Sequence, residues 1–156
     1  MEDYFNIYVD RLKSGSEELI SFSAAPTFME LTEDELLFNE NIEVEGKAYL
    51  TEEHLILHLD ISTKAIMPCK MCNEPKPYIV DIKGFYHTQD LDKIKSGQFS
   101  IADIVRDAIL LDLPNYYECK LDSCEGRDIA NKFLKSQEQA HEIDDPEVYH
   151  PFADLE

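Results

Sequence analysis

The strongest alternation of apolar and polar residues lies between residues 41 and 61. Ile42, Val44, Gly46, Ala48 and Leu50 alternate with Glu43, Glu45 and Lys47; then Leu55, Leu57, Leu59 and Ile61 alternate with His54, His58 and Asp60. Successive side chains of a strand point to opposite faces, so this spacing predicts two strands, each with one apolar and one wet face, joined by a turn at residues 51–53. Only Ile56 breaks the polar series. The second strand runs on through Ala65 and Met67 to Pro68 and Cys69, and residues 78–87 predict a further strand. Shorter alternations predict strands over residues 4–10 and 18–23.

The period changes elsewhere. After Pro26, the segment Thr32-Glu33-Asp34-Glu35 has the Ser/Thr-x-x-Glu form of a helix start, although only Leu36, Leu37 and Phe38 follow it. Ile101, Ile104, Val105, Ala108 and Ile109 recur at helical spacing, with Ser100 placed to cap that helix, Asp103 in its first turn and Pro114 to end it. Residues 126–140 predict a second helix with Ile129, Ala130, Phe133 and Leu134 as its apolar stripe. The fold class that follows is α+β, a mostly antiparallel β-sheet with one or two packed helices. Residues 1–140 read as one domain and residues 141–156 as an acidic C-terminal tail. Pro146, Val148, Tyr149, Pro151 and Phe152 give that tail a few anchors for docking.

The four cysteines add chemistry to this frame. Cys69 and Cys72 form a Cys-x2-Cys pair, and Cys119 and Cys124 a Cys-x4-Cys pair. Each spacing lets one loop present two sulfurs to a single ion, and two such loops complete a tetrahedral thiolate site for zinc. Pro68 fixes the entry to the first loop. Asn73 follows Cys72 where zinc knuckles commonly have Gly, and Asn tolerates the positive φ that Gly allows; Gly126 is placed to relieve the turn after the second pair. Lys64, Lys70, Lys76 and Lys120 lie near the pairs in sequence and suit either a cluster that stabilises thiolates or a contact to RNA or a partner. Buried structural cysteines and a redox pair are the alternatives to zinc. A closed four-sulfur site would be structural, with no open position for water.

Composition narrows the partners. Fourteen Lys and Arg stand against 33 Asp and Glu in 156 residues, a net charge of −19. Such a chain is repelled at long range by a phosphate backbone and attracted to basic proteins, although acidity alone also serves solubility. The N-terminal residues lack a basic and apolar leader pattern and no apolar run approaches a membrane span, so a cytoplasmic protein is expected, in which paired cysteines favour metal over disulfide. Phosphate-cradling glycine loops, HExxH and GxSxG are missing from the sequence, and the expectation is a protein that is not an enzyme.

The order of these features carries a resemblance. An alternating hairpin leads into Pro68-Cys69-Lys70-Met71-Cys72. A strand and an acidic stretch follow, then a helix ending in Leu110-Leu111-Asp112-Leu113-Pro114, a second cysteine pair, and Asp145-Pro146 before a short apolar-acidic end. This resembles the YceD family, the large ribosomal RNA subunit accumulation proteins, over nearly the whole chain. It looks like a divergent member. Where the family's first pair usually reads Cys-x-Arg-Cys-Leu, this chain has Lys70-Met71 between the cysteines and Asn73 after them, and Cys124-Glu125-Gly126-Arg127 keeps only part of the family's second segment. The resemblance implies a non-enzymatic factor that supports accumulation of large-subunit ribosomal RNA and ribosome assembly. The charge adds a basic ribosomal protein or assembly factor as its partner. Direct contact with large-subunit ribosomal RNA, as an RNA-binding zinc module, and a thiol-dependent redox protein are the alternatives.

Overall fold

The period-two segments form one antiparallel sheet, seen in a computed structural model that describes residues 3–120 and 124–141, with side chains of the last helix described as far as Gln137. In chain order the elements are β1 (Asn6–Tyr8), α1 (Val9–Leu12), β2 (Glu18–Ala24), β3 (Leu37–Phe38), β4 (Ile42–Leu50), β5 (His54–Pro68), β6 (Pro75–Asp90), β7 (Gln98–Ser100), α2 (Ala102–Asp112) and α3 (Glu125–His141). The main sheet runs β2-β4-β5-β6, all antiparallel, and β3 pairs with β5 beyond the end of β4. β1 and β7 form a separate two-stranded ribbon. The α+β reading, mostly antiparallel with helices, is the observed fold.

The predicted hairpin lies where the alternation places it. Ile42, Val44, Ala48, Leu55, Leu57, Leu59 and Ile61 are all buried in one core with Ile20, Ala24, Val80 and Met29. α2 closes that core with Val105, Ala108 and Ile109. Gly46 is required by close approach: a Cβ there would stand 2.0 Å from the carbonyl oxygen of His58 on the neighbouring strand. Ile56, the break in the polar series, is buried too, but apart from the main core, beside Tyr49 and Thr88, its register partners on the sheet's other face.

Three local expectations are corrected. The strand over residues 4–10 shrinks to Asn6–Tyr8, between a 3-10 turn at Asp3–Phe5 and α1, where Val9 and Leu12, a helical turn apart, are both buried and Leu12 joins the core. No helix starts at residues 32–35. Pro26–Met29 forms a 3-10 turn, which Glu30 ends at φ 46°, and Leu37–Phe38 pairs instead with Ile66 and Ala65; three apolar residues cannot offset the cost of nucleating a helix when a strand edge is open to them. Ser100 does not cap α2. It pairs with Asn6 as the last residue of β7, so the buried Ile101 takes the cap position and its carbonyl accepts the amide of Val105. The acidic tail, including Pro146, Val148, Tyr149, Pro151 and Phe152, lies outside the described residues apart from His141, which ends α3.

The longest pairing positions the cysteines. β5 and β6 stay in register from His54 opposite Asp90 to Pro68 opposite Pro75, with one irregularity between Leu59 and Ile61, where the carboxylate of Asp60 accepts the amide of Gly84 at 2.7 Å. The hairpin therefore carries Cys69 and Cys72 at its tip, beyond the end of the apolar core.

Candidate metal centre

The tip loop has the geometry of a thiolate knuckle. Its base is closed by the amide of Cys69 donating to the carbonyl of Glu74 at 3.0 Å, and its turn by the amide of Asn73 donating to the carbonyl of Cys69 at 2.8 Å. Asn73 has φ 59°, the left-handed conformation that Asn tolerates where such loops commonly have Gly. The amide of Met71 donates to Cys69 Sγ at 3.4 Å, so the backbone of the turn is arranged to favour negative charge on that sulfur.

The second pair arrives from the far side of the chain. After α2, residues 113–120 return across the hairpin tip. The amide of Lys70 donates to the carbonyl of Tyr117 at 2.8 Å, and the Tyr117 hydroxyl donates to the carbonyl of Pro77 at 2.7 Å. The amide of Cys119 then reaches Cys69 Sγ at 3.3 Å. Cys124 stands immediately before α3, and its carbonyl accepts the amides of Arg127 and Asp128. The cluster thus sits at the positive end of a 17-residue helix, which favours thiolates.

The four sulfurs converge. Cys69 and Cys124 Sγ are 3.8 Å apart, Cys72 and Cys119 Sγ 3.9 Å apart, and all four lie within 4.8 Å of one another. A disulfide requires about 2.05 Å, whereas the edge of a tetrahedron with metal–sulfur bonds of about 2.3 Å is about 3.8 Å. The four cysteines are therefore free thiols arranged as a group that could hold a metal ion. Their acidities are unequal. Burial raises the Cys69 thiol, but the amides of Cys72, Cys119 and Met71 outweigh it and bring it down to about 6. Burial, joined by the neighbouring sulfurs, pushes Cys119 up to about 12. Sulfurs this close resist shared ionisation, and a dication at their centre removes that conflict.

Around the sulfurs stands a shell that sequence reading missed. The carboxylate of Glu118, whose side chain is 4% exposed, takes a two-pronged contact from Arg127, with Nε at 2.9 Å and Nη2 on the second oxygen. Arg127 and then Tyr116 hold the Glu118 carboxyl below its usual range. Tyr116 also donates its hydroxyl to Met71 Sδ at 3.1 Å. Gly126 serves a different purpose from the turn expected of it. It lies inside α3, and a Cβ there would stand 2.0 Å from the carbonyl oxygen of Met71. Spacing between cysteines carries no signal for these contacts: Glu118 and Arg127 flank the second pair nine positions apart, and only the folded loop shows that they meet.

The four lysines stand in different local settings. Lys64 lies on β5 and pairs with Glu40, whereas Lys76 pairs with Glu74 at 2.7 Å. Glu74 is the main cause of the raised Lys76 pKa, with Cys119 and Cys72 adding to it, so Lys76 does sit in the field of the cluster. Lys70 and Lys120 are exposed beside Cys69 and Cys119. Among the described residues no helix is long and apolar enough to cross a membrane. No protein-family model, curated protein or solved structure matches the chain.

Proposed function

We propose that this chain is a non-enzymatic factor that supports accumulation of large-subunit ribosomal RNA, acting by holding a basic ribosomal protein or assembly factor, with zinc as a structural ion on Cys69, Cys72, Cys119 and Cys124. The observation that carries the reading is the meeting of two cysteine pairs from far apart in the chain, with Cys72 and Cys119 separated by 47 positions. Four sulfurs at tetrahedral spacing fill every position around a small thiophilic ion, which suits a fastening role rather than hydrolysis. The order of hairpin, knuckle, Leu-Pro helix end and second pair supports the YceD-like role. The charge of −19 supports a basic protein as partner.

Direct RNA binding is the weaker reading, because Lys64 and Lys76 are already matched to Glu40 and Glu74. A thiol-redox role is weaker as well, because Cys69 and Cys124 are buried. Protein purified without chelator should carry about one equivalent of zinc, as one tetrathiolate site requires; a near absence of metal with four freely titrating thiols would remove the zinc reading. Pull-down from lysate should retain a basic ribosomal protein or assembly factor after nuclease treatment. Depletion in cells should lower large-subunit particles, and normal particle levels would overturn the assembly role.

A further inference from the structure

Among the described residues, α3 is fastened to the protein at one end only. The attachments lie at its start: Cys124, just before the helix, in the sulfur cluster, then Gly126 flush against the Met71 carbonyl and Arg127 clasped to the buried Glu118 carboxylate. Past its first turn the helix leaves the body, and every residue from 131 to 137 is exposed. Yet the face that meets the knuckle at Gly126 continues outward as an apolar one. Gly126, Ile129, Ala130, Phe133 and Leu134 follow the i, i+3, i+4, i+7, i+8 spacing of one helix face. Of these, Ile129 is 68%, Phe133 62% and Leu134 56% exposed. Three large apolar side chains on one projecting helix face are unlike the scattered apolar residues of an ordinary surface.

Charge decides what such a face takes. On α3 itself Glu125, Asp128 and Glu138 balance Arg127, Lys132 and Lys135, but residues 136–156 hold seven Asp and Glu and neither Lys nor Arg. The apolar stripe thus runs directly into a strongly acidic stretch of the same chain. A second copy would bring −19 against −19. We propose that the outer face of α3 is a docking surface for a basic, amphipathic polypeptide segment, with Ile129, Phe133 and Leu134 as its apolar anchors. The class of partner follows the reading given above; the surface itself follows from the way α3 is attached.

The test uses the full-length protein and two synthetic helical peptides with the same leucine stripe, one with lysine and one with glutamate at the polar positions. At physiological ionic strength the lysine peptide should bind and the glutamate peptide should not. Binding should fall at least about tenfold in Ile129→Ser/Phe133→Ser, and separately in Leu134→Ser, because apolar anchors at the centre of a contact carry most of its energy. Circular dichroism and metal content of both variants should match the parent, since these side chains are exposed. Equal binding of the lysine peptide to parent and variants would mean attraction by charge alone and would overturn the proposal. So would a parent protein that is a dimer and becomes monomeric on substitution, or a chain ending at residue 141 that binds the lysine peptide more tightly than the full chain. Metal content, measured on the same samples, separates failure of the zinc reading from failure of this one.

Discussion

At the scale of single residues the cluster depends on atoms that have no room to yield. Gly126 shows this best. A methyl group there would overlap the Met71 carbonyl and approach the Cys72 amide, both backbone atoms of the knuckle. Gly126→Ala should therefore lower stability by about 1–3 kcal/mol in a denaturant titration, the usual cost of forcing volume into a packed contact. Ser136→Ala, on the exposed part of the same helix, should stay within about 0.5 kcal/mol of the parent. Cys119→Ser should make zinc easier to strip than in the parent, since water must take the fourth position of the tetrahedron; zinc retained after dialysis against a competing chelator, by elemental analysis, checks it.

At the scale of elements, β5 and β6 form a long lever that projects a loop beyond the core, and α3 is clasped to that loop. The clasp has a pH signature. Arg127 lowers the Glu118 pKa, so its contribution is present above the ordinary glutamate value of 4.5 and is lost as pH falls through the depressed folded value. Hydrogen-exchange protection of the α3 amides, corrected for intrinsic rates, should fall across that acidic range. In Glu118→Gln it should already be low at neutral pH and change less across the same range. Equal protection in parent and variant at neutral pH would show that the clasp does not hold the helix. The secondary structure of α3 was legible in its sequence because the 3.6-residue period is a local property. Its attachment was not, because the same apolar stripe describes a helix lying on a core and one standing free of it.

At the scale of the whole molecule, the cysteines and the apolar core are separate sources of order. Cys69 and Cys124 are buried, yet they stand outside the core cluster that unites the sheet with α2. Removal of metal by a strong chelator should therefore loosen the knuckle and α3 while the sheet persists. Far-ultraviolet circular dichroism should lose helical signal, and heating should then show a separate transition for the β-sheet body. A single cooperative collapse on chelation would contradict this division, because it would mean that the sheet itself depends on the metal.

Alternation from Ile42 to Ile61 by itself determined the central hairpin, since a one-residue slip would turn every buried side chain of it to water. The spacing Cys-x2-Cys determined the knuckle, for a short loop has few ways to point two sulfurs together. Weak local signals were overruled where a neighbouring strand offered pairing: Leu37 and Phe38 joined β5, and Ser100 joined β1's ribbon. What only the tertiary structure decided was the joining of distant parts. The convergence of Cys69 and Cys72 with Cys119 and Cys124, and with it the placing of α3 against the knuckle at Gly126, depends on how residues 113–120 return across the hairpin tip. Local periodicity encodes which way a side chain faces within its own element; it holds no information about which element stands opposite.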